Sequence, residues 1–179
     1  MTITSSPWHH PRPEQSRIHL DVVPEDVLHA LATGGSASRA SQDVSPYLAG
    51  PECAGLWRIR SEQVREAPAD AAWITRLIVD PRVYVPVGVA GFHGAPHAAG
   101  MVEVGYRVDP EFRRRGYAWQ SLEILLAVAQ RHPAVKTVRA SISPDNAASL
   151  ALIDGYGFVE VGEQWDDEDG RELVFEMPA

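Results

Sequence analysis

Cysteine is nearly absent from this sequence: Cys53 stands alone among 179 residues, so no internal disulfide can form and a reducing cytoplasmic setting is expected. Long apolar runs are missing too. No stretch reaches the roughly 18–20 residues that a membrane-spanning helix needs, and Met1–Pro13 lacks the basic-then-apolar layout of a secretory signal. No membrane partner is expected. Nor is there a basic surplus: 16 Lys and Arg against 24 Asp and Glu leave a formal charge of −8, the wrong sign for a general nucleic-acid binder. Internal repeats and a recognisable linker are lacking. At this length that leaves one domain, 16–179, preceded by a flexible or extended arm over 1–15 that is rich in Pro and His and shows no periodicity. His9 and His10 have no second ligand cluster beside them, and the run Asp166–Asp169 lacks the spaced oxygens of a calcium loop, so no metal is expected.

What is present is a clear succession of patterns. Ile18–Val23 reads as a short strand, and Pro24 opens a helix with Glu25 and Asp26 favouring its positive end. The small residues Gly34–Ser41 break that helix, and Ser45–Ala69 reads as one or two short helices punctuated by Pro46, Pro51 and Pro68. Strands are expected over Trp73–Val79, Val83–Phe92 and Met101–Val108. In the last of these Val102, Val104, Tyr106 and Val108 share one face, and Glu103 lies on the other. Leu122, Leu125, Leu126 and Ala129 then form one helical stripe that Pro133 ends. A strand over Val135–Ile142, a short helix over Asp145–Asp154 and a hairpin of Phe158–Trp165 with Arg171–Met177 complete the chain.

The chemistry concentrates at Val108–Ala118, between a strand and an amphipathic helix. A helix start leaves several backbone N–H groups unpaired and carries partial positive charge. Gly116 lets an anion approach those amides, Ala118 keeps the next turn clear, and Arg113, Arg114 and Arg115 add long-reach positive charge in an otherwise acidic chain. The pattern suits a polyphosphate.

Arg113-x-x-Gly116-x-Ala118 resembles the pyrophosphate loop of the GNAT N-acetyltransferases. Asn146-x-x-Ser149 followed by Gly157-Phe158 is similar to the segment that this family sets beside the pantetheine arm. The strand Glu103–Val108 resembles the family's central strand, particularly in the branch of ribosomal-protein N-terminal acetyltransferases. The resemblance implies an α+β fold with a mixed, mostly antiparallel sheet of six to seven strands flanked by helices. It implies acetyl-CoA as cosubstrate, direct attack by a primary amine, and as acceptor a small-molecule amine or a peptide N-terminus; a homodimer is a family-level expectation. Backbone groups of Tyr106, Arg107 and Val108 would pair with pantetheine, amides from Arg113 through Tyr117 to Ala118 would hold the diphosphate, and Asn146 would contact the cofactor arm. Ser149 would sit near the thioester sulfur.

One position departs from the family pattern. Many members carry a tyrosine seven residues after this asparagine to protonate the leaving thiolate, and here that position is Ile153. Ser149 is the nearest substitute, and Tyr156 stands at a variable position to which the role does not transfer. Glu103 is the candidate base, against the alternative of a strand glutamate paired with Arg107. His93 and His97 could line an acceptor channel, and Trp57 could edge an acceptor pocket. A catalytically weak acyl-CoA-binding protein of the same fold is the rival reading.

Overall fold

The computed structural model describes residues 6–34, 44–166 and 170–179. Its elements are strands β1 (Trp8–His9) and β2 (His19–Val22), helices α1 (Glu25–Ala32) and α2 (Pro51–Glu66), strands β3 (Arg76–Val79), β4 (Gly88–Phe92) and β5 (Met101–Val108), helix α3 (Tyr117–Arg131), strand β6 (Thr137–Ile142), helix α4 (Ala147–Asp154), and strands β7 (Val159–Asp166) and β8 (Gly170–Pro178). One sheet runs β1-β2-β3-β4-β5-β6-β8-β7. Every neighbouring pair is antiparallel except β5 and β6, which are parallel because α3 carries the chain across between them.

The sheet therefore has eight strands, against the six to seven expected. The additional one comes from the arm. Trp8 pairs with Leu20 and His9 with His19, so residues 8–9 extend the sheet instead of standing free of it. Trp8 is buried against Phe92, and the Arg76 guanidinium lies 3.6 Å from the centre of its ring. Arg76 also donates to the carbonyls of Ser6 (2.9 Å), Ala72 (2.8 Å) and Leu20 (3.3 Å), and burial lowers its pKa to about 10. His10 is buried with Nε2 2.6 Å from Glu123 Oε2 on α3, and Arg12 reaches the same carboxylate at 2.8 Å. The described part of the arm is thus held by its own aromatic and charged side chains, which a reading for periodicity could not weigh.

Two apolar layers sandwich the sheet. On one face α3 buries Leu122, Ile124, Leu125, Leu126, Val128 and Ala129 against Val102, Val104 and Val108 of β5, and Ile153 of α4 joins the same layer. The predicted helical stripe and the predicted alternation of β5 both fall here. On the other face α1 and α2 pack on each other and on Ile74 and Val89. Ser45–Ala69 contains one sixteen-residue helix where short pieces were expected: Pro51 sits at its first position, where a missing N–H costs nothing, and Pro68 follows its end. Trp57 belongs to this second core, buried with its ring N–H donating to Leu48 O at 2.6 Å. The small-residue break after Gly34 and the tip of the β7–β8 hairpin fall largely outside the described residues. No described helix is long and apolar enough to cross a membrane.

Arg76→Ala removes the cation over Trp8 and strands three carbonyls, so it should lower the unfolding free energy by about 2–4 kcal/mol. Urea denaturation measures that loss, and faster proteolysis within residues 6–15 should accompany it.

Candidate functional site

The site begins where the sheet comes apart. The parallel pairing of β5 with β6 runs through three residue pairs, Met101–Thr137, Val102–Val138 and Glu103–Arg139, and stops there. Beyond Glu103, β5 stays paired to β4 as far as Val108, while β6 stays paired to β8 as far as Ile142. The two strands diverge, and a wedge opens between them.

Which backbone groups edge the wedge follows from two hydrogen bonds at the ends of the β4–β5 ladder. His93 N–H donates to Glu103 O at 2.8 Å, and Asp109 N–H donates to Val87 O at 3.0 Å. Antiparallel alternation then turns residues 103, 105, 107 and 109 towards β4 and residues 104, 106 and 108 towards the wedge. Tyr106 thus turns its backbone groups to the wedge, and so does Val108, whose carbonyl is already held by Arg113. Arg107 does not. Its backbone faces β4, and its guanidinium donates to Glu52 O at the start of α2. Sequence reasoning took three consecutive residues as one contact surface, which a pleated strand cannot provide.

The wedge leads to the start of α3. Asp109 ends β5 and caps a 3-10 turn over Pro110–Phe112, accepting from Glu111 N–H at 3.0 Å and from Ser45 Oγ at 2.7 Å. Arg114 has φ 60° and Gly116 φ 82°, so the chain twice enters the left-handed region just before the helix. A Cβ at Gly116 would meet only the Gln120 side chain at 3.3 Å; the backbone angle, more than lack of room, asks for glycine. Gln120 N–H is the first to bond back along α3, to Gly116 O at 3.0 Å, and the amides of residues 114–119 make no backbone hydrogen bond among the described residues. Arg113 Nε donates to Val108 O (3.1 Å) and Arg115 to Glu111 O (3.0 Å), so two of the three arginines brace the turn while all three stay exposed. Unpaired amides, the helix dipole and exposed guanidinium groups meet here, and each of the three favours an anion over a cation.

A buried carboxylate sets the position of this helix start. The Tyr117 hydroxyl donates to Asp80 Oδ2 at 2.8 Å, and Arg82 holds the same carboxylate through its backbone N–H and its guanidinium. The Arg82 hydrogen bonds hold the Asp80 carboxyl well below the ordinary carboxylate range, and burial, with Asp80 second, raises the Tyr117 hydroxyl.

The two faces of β5 carry different chemistry. On the α3 face, Tyr106 is half-buried and its hydroxyl lies against the Ser149 side chain; burial raises the Tyr106 pKa, and Ser149 offsets part of that. Asn146 is exposed and caps α4, accepting from Ser149 N–H at 3.1 Å, so its side-chain NH2 is what remains for a ligand. Ile153 is buried in the core. Tyr156 faces Glu123 (3.4 Å) and Trp119, and burial followed by Glu123 pushes its pKa up to about 12. On the α2 face, Glu103 turns to His93, with 3.6 Å between its carboxylate and the imidazole Nδ1, and not to Arg107. His93, which the sequence offered only as one of two histidines that could line an acceptor channel, is the side chain the structure sets against Glu103. Its one local signal is Gly105, directly beneath the ring. Among the described residues no group of three His, Cys, Asp or Glu is placed to hold a metal.

This architecture defines a class: α+β domains with a mixed sheet, helices on both faces, and an opened parallel pair leading to a helix start with unpaired amides. The chain belongs to the GNAT acetyltransferase family, whose acetyltransferase (GNAT) domain matches residues 30–159. The uncharacterized N-acetyltransferase YjdG of Bacillus subtilis (strain 168) is 32% identical over 88 residues, which are 49% of this chain and 51% of that protein. The match thus spans about half the length of this curated relative. A putative ribosomal-protein-serine acetyltransferase from Vibrio cholerae superposes with a TM-score of 0.65 at 17% identity, over 100% of both chains. The microcin C7 self-immunity acetyltransferase MccE, solved with acetyl-CoA and AMP, gives 0.62 at 14% identity over 90% of this chain and 92% of that one. At those identities the structural likeness is one of fold.

Tyr117→Phe takes a hydrogen bond from a buried carboxylate and should cost about 1.5–3 kcal/mol of stability. Asp80 has a depressed pKa in the folded state, so its contribution is in place above its ordinary value of 3.8 and fades as the pH falls below that. Asp80→Asn should therefore be less stable than the parent at pH 7, and the gap should narrow below about pH 4. Thermal unfolding followed from pH 3 to 7 reads both.

Proposed function

We propose that this chain transfers an acetyl group from acetyl-CoA to a primary amine by direct attack. The observation that carries the reading is the wedge between β5 and β6 running into the left-handed turn at Arg114–Gly116. Its two ends match the two halves of coenzyme A. Backbone groups of Tyr106 and Val108 offer strand-like pairing to the pantetheine amides, and the free amides of residues 114–118 with Arg113, Arg114 and Arg115 offer donors and charge to the diphosphate. The remaining NH2 of Asn146 can reach a cofactor arm from α4.

When bound, the thioester supplies an acyl carbon open to a nitrogen nucleophile and a thiolate leaving group. The chain has to supply proton transfers at both ends. Glu103 and its surroundings serve the amine end, on the α2 face of β5. Ser149, against the Tyr106 hydroxyl on the other face, serves the sulfur end in place of the tyrosine that Ile153 replaces. Backbone N–H groups at the wedge would steady the carbonyl oxygen, a kind of contact whose loss costs roughly 10²–10³-fold.

The acceptor is a small-molecule amine or a peptide N-terminus, in a cytoplasmic setting. Free energy favours the peptide. A lysine amine needs about 4–5 kcal/mol to deprotonate at pH 7, an α-amine only about 1 kcal/mol. The fold neighbours include RimL, named as an acetyltransferase of the ribosomal L7/L12 α-amine, which is in line with that choice. The burial of Ile153 favours a second reading, an acyl-CoA-binding protein with little turnover. Thiol release across a panel of amines separates the two.

Gly116→Glu should weaken acetyl-CoA binding by about a hundredfold or more, ~2.8 kcal/mol, since it sets negative charge at the anion site. Titration calorimetry measures this, and unchanged affinity would remove the diphosphate from Gly116.

A further inference from the structure

We propose that the proton of the attacking amine is taken by His93 Nε2, with Glu103 as its positioning residue and Gly105 as the strand position that admits the ring. The inference deepens the acetyl-transfer reading and rests on it. Four observations carry it.

First, His93 is fixed from both sides. Its N–H donates to Glu103 O (2.8 Å), and its carbonyl accepts from Arg60 (3.0 Å) and from Gln63 Nε2 (2.8 Å) on α2. Gln63 is itself held by Asp70 at 2.7 Å, so the residue after β4 is anchored more firmly than an ordinary loop histidine. Second, the ring lies across Gly105. A Cβ there would come within 2.7 Å of Nε2 and 3.2 Å of Cδ2. Gly105 sits between Val104 and Tyr106, the two residues whose backbone groups edge the wedge where it opens, so Nε2 is held over the mouth of the wedge.

Third, exposure differs within the pair. The Glu103 side chain is 17% exposed and the His93 side chain 49%. An amine arriving from solvent meets the imidazole before the carboxylate. Fourth, the carboxylate lies on the Nδ1 side of the ring, 3.6 Å away. A proton on Nδ1 facing Glu103 leaves the Nε2 lone pair free to accept another. Arg60 (α2) and Asp166 (β7) also act on the imidazole, Glu103 and Asp166 raising its pKa and Arg60 lowering it. Although half of the side chain is open to solvent, desolvation of the rest outweighs them and holds the pKa below the ordinary 6.5, so at neutral pH the ring is mostly uncharged and able to accept.

The step balances. The amine nitrogen's lone pair forms the C–N bond, and the C–S bond breaks with its electron pair leaving on sulfur. The amine proton passes to His93 Nε2 and from there to water, while the thiolate takes one proton through Ser149, which regains it from water, leaving amide and thiol.

The test uses the full chain with acetyl-CoA and two probes, benzylamine and a short peptide with a free serine N-terminus. His93→Gln should lower kcat by about 10²–10⁴-fold and leave acetyl-CoA affinity within about threefold. Gly105→Ala never touches the imidazole chemically, yet its methyl must displace the ring's flexible end, and it should reproduce part of that loss, about tenfold or more. The pH profile of kcat decides between the two members of the pair. The parent should show an acid limb below pH 6.5. His93→Gln should abolish that limb, whereas Glu103→Gln should move it to lower pH by withdrawing the charge that raises the His93 pKa. If Glu103→Gln abolishes the limb and His93→Gln keeps it, Glu103 is the base and the proposal fails; equal kcat in His93→Gln and the parent also overturns it. Calorimetry without acetyl-CoA binding in the parent would sink the acetyl-transfer reading, and binding without turnover of either probe would count against both.

Discussion

The functional architecture depends on one interruption: the β5–β6 ladder stops after Glu103. A parallel pair in the middle of a sheet is normally buried and continuous, since unpaired backbone groups are costly away from water. Here both strands keep their outer partners, β4 on one side and β8 on the other, so the opening is bounded by ordered sheet on both edges. Its peptide groups are therefore held in extended geometry while lacking a strand to bond. That combination lets a flexible, amide-bearing ligand complete the sheet without rearrangement of the protein.

Everything around the opening fixes position. Asp109, tied to Ser45, ends β5, and Asp80, tied to Tyr117 and Arg82, pins the first residue of α3. The turn between them carries two left-handed residues, an arrangement that persists only where the surroundings determine it. The helix start with its free amides is thus aimed by contacts that lie outside the anion site.

The two faces of β5 divide the work. Alternation sends Tyr106 towards Ser149 and α3, and Glu103 with the Gly105 gap towards His93 and α2. The two side-chain pairs are therefore separated by the thickness of a strand, with the opening between them, and neither pair can neutralise the other directly. The amino-terminal segment contributes from farther away: His10 and Arg12 grip Glu123, which also lies beside Tyr156, so this segment braces the outer surface of α3.

Residue pattern alone was sufficient for whatever is local or periodic. The stripe on α3, the alternation on β5, the Asp109-Pro110 stop and the Arg113–Ala118 motif all showed in the chain, because each depends on neighbours within a few positions. The family, and with it a mixed, mostly antiparallel sheet flanked by helices, followed from two motifs at the right spacing. Tertiary structure decided the rest. The eighth strand exists because Trp8 finds Phe92 and Arg76, residues some seventy to eighty positions away. Which backbone groups of β5 are free was settled by the register with β4, which turned Arg107 away. The His93 ring lies over β5 because a glycine on that strand left room for it, a pairing between strands that no single stretch of sequence records.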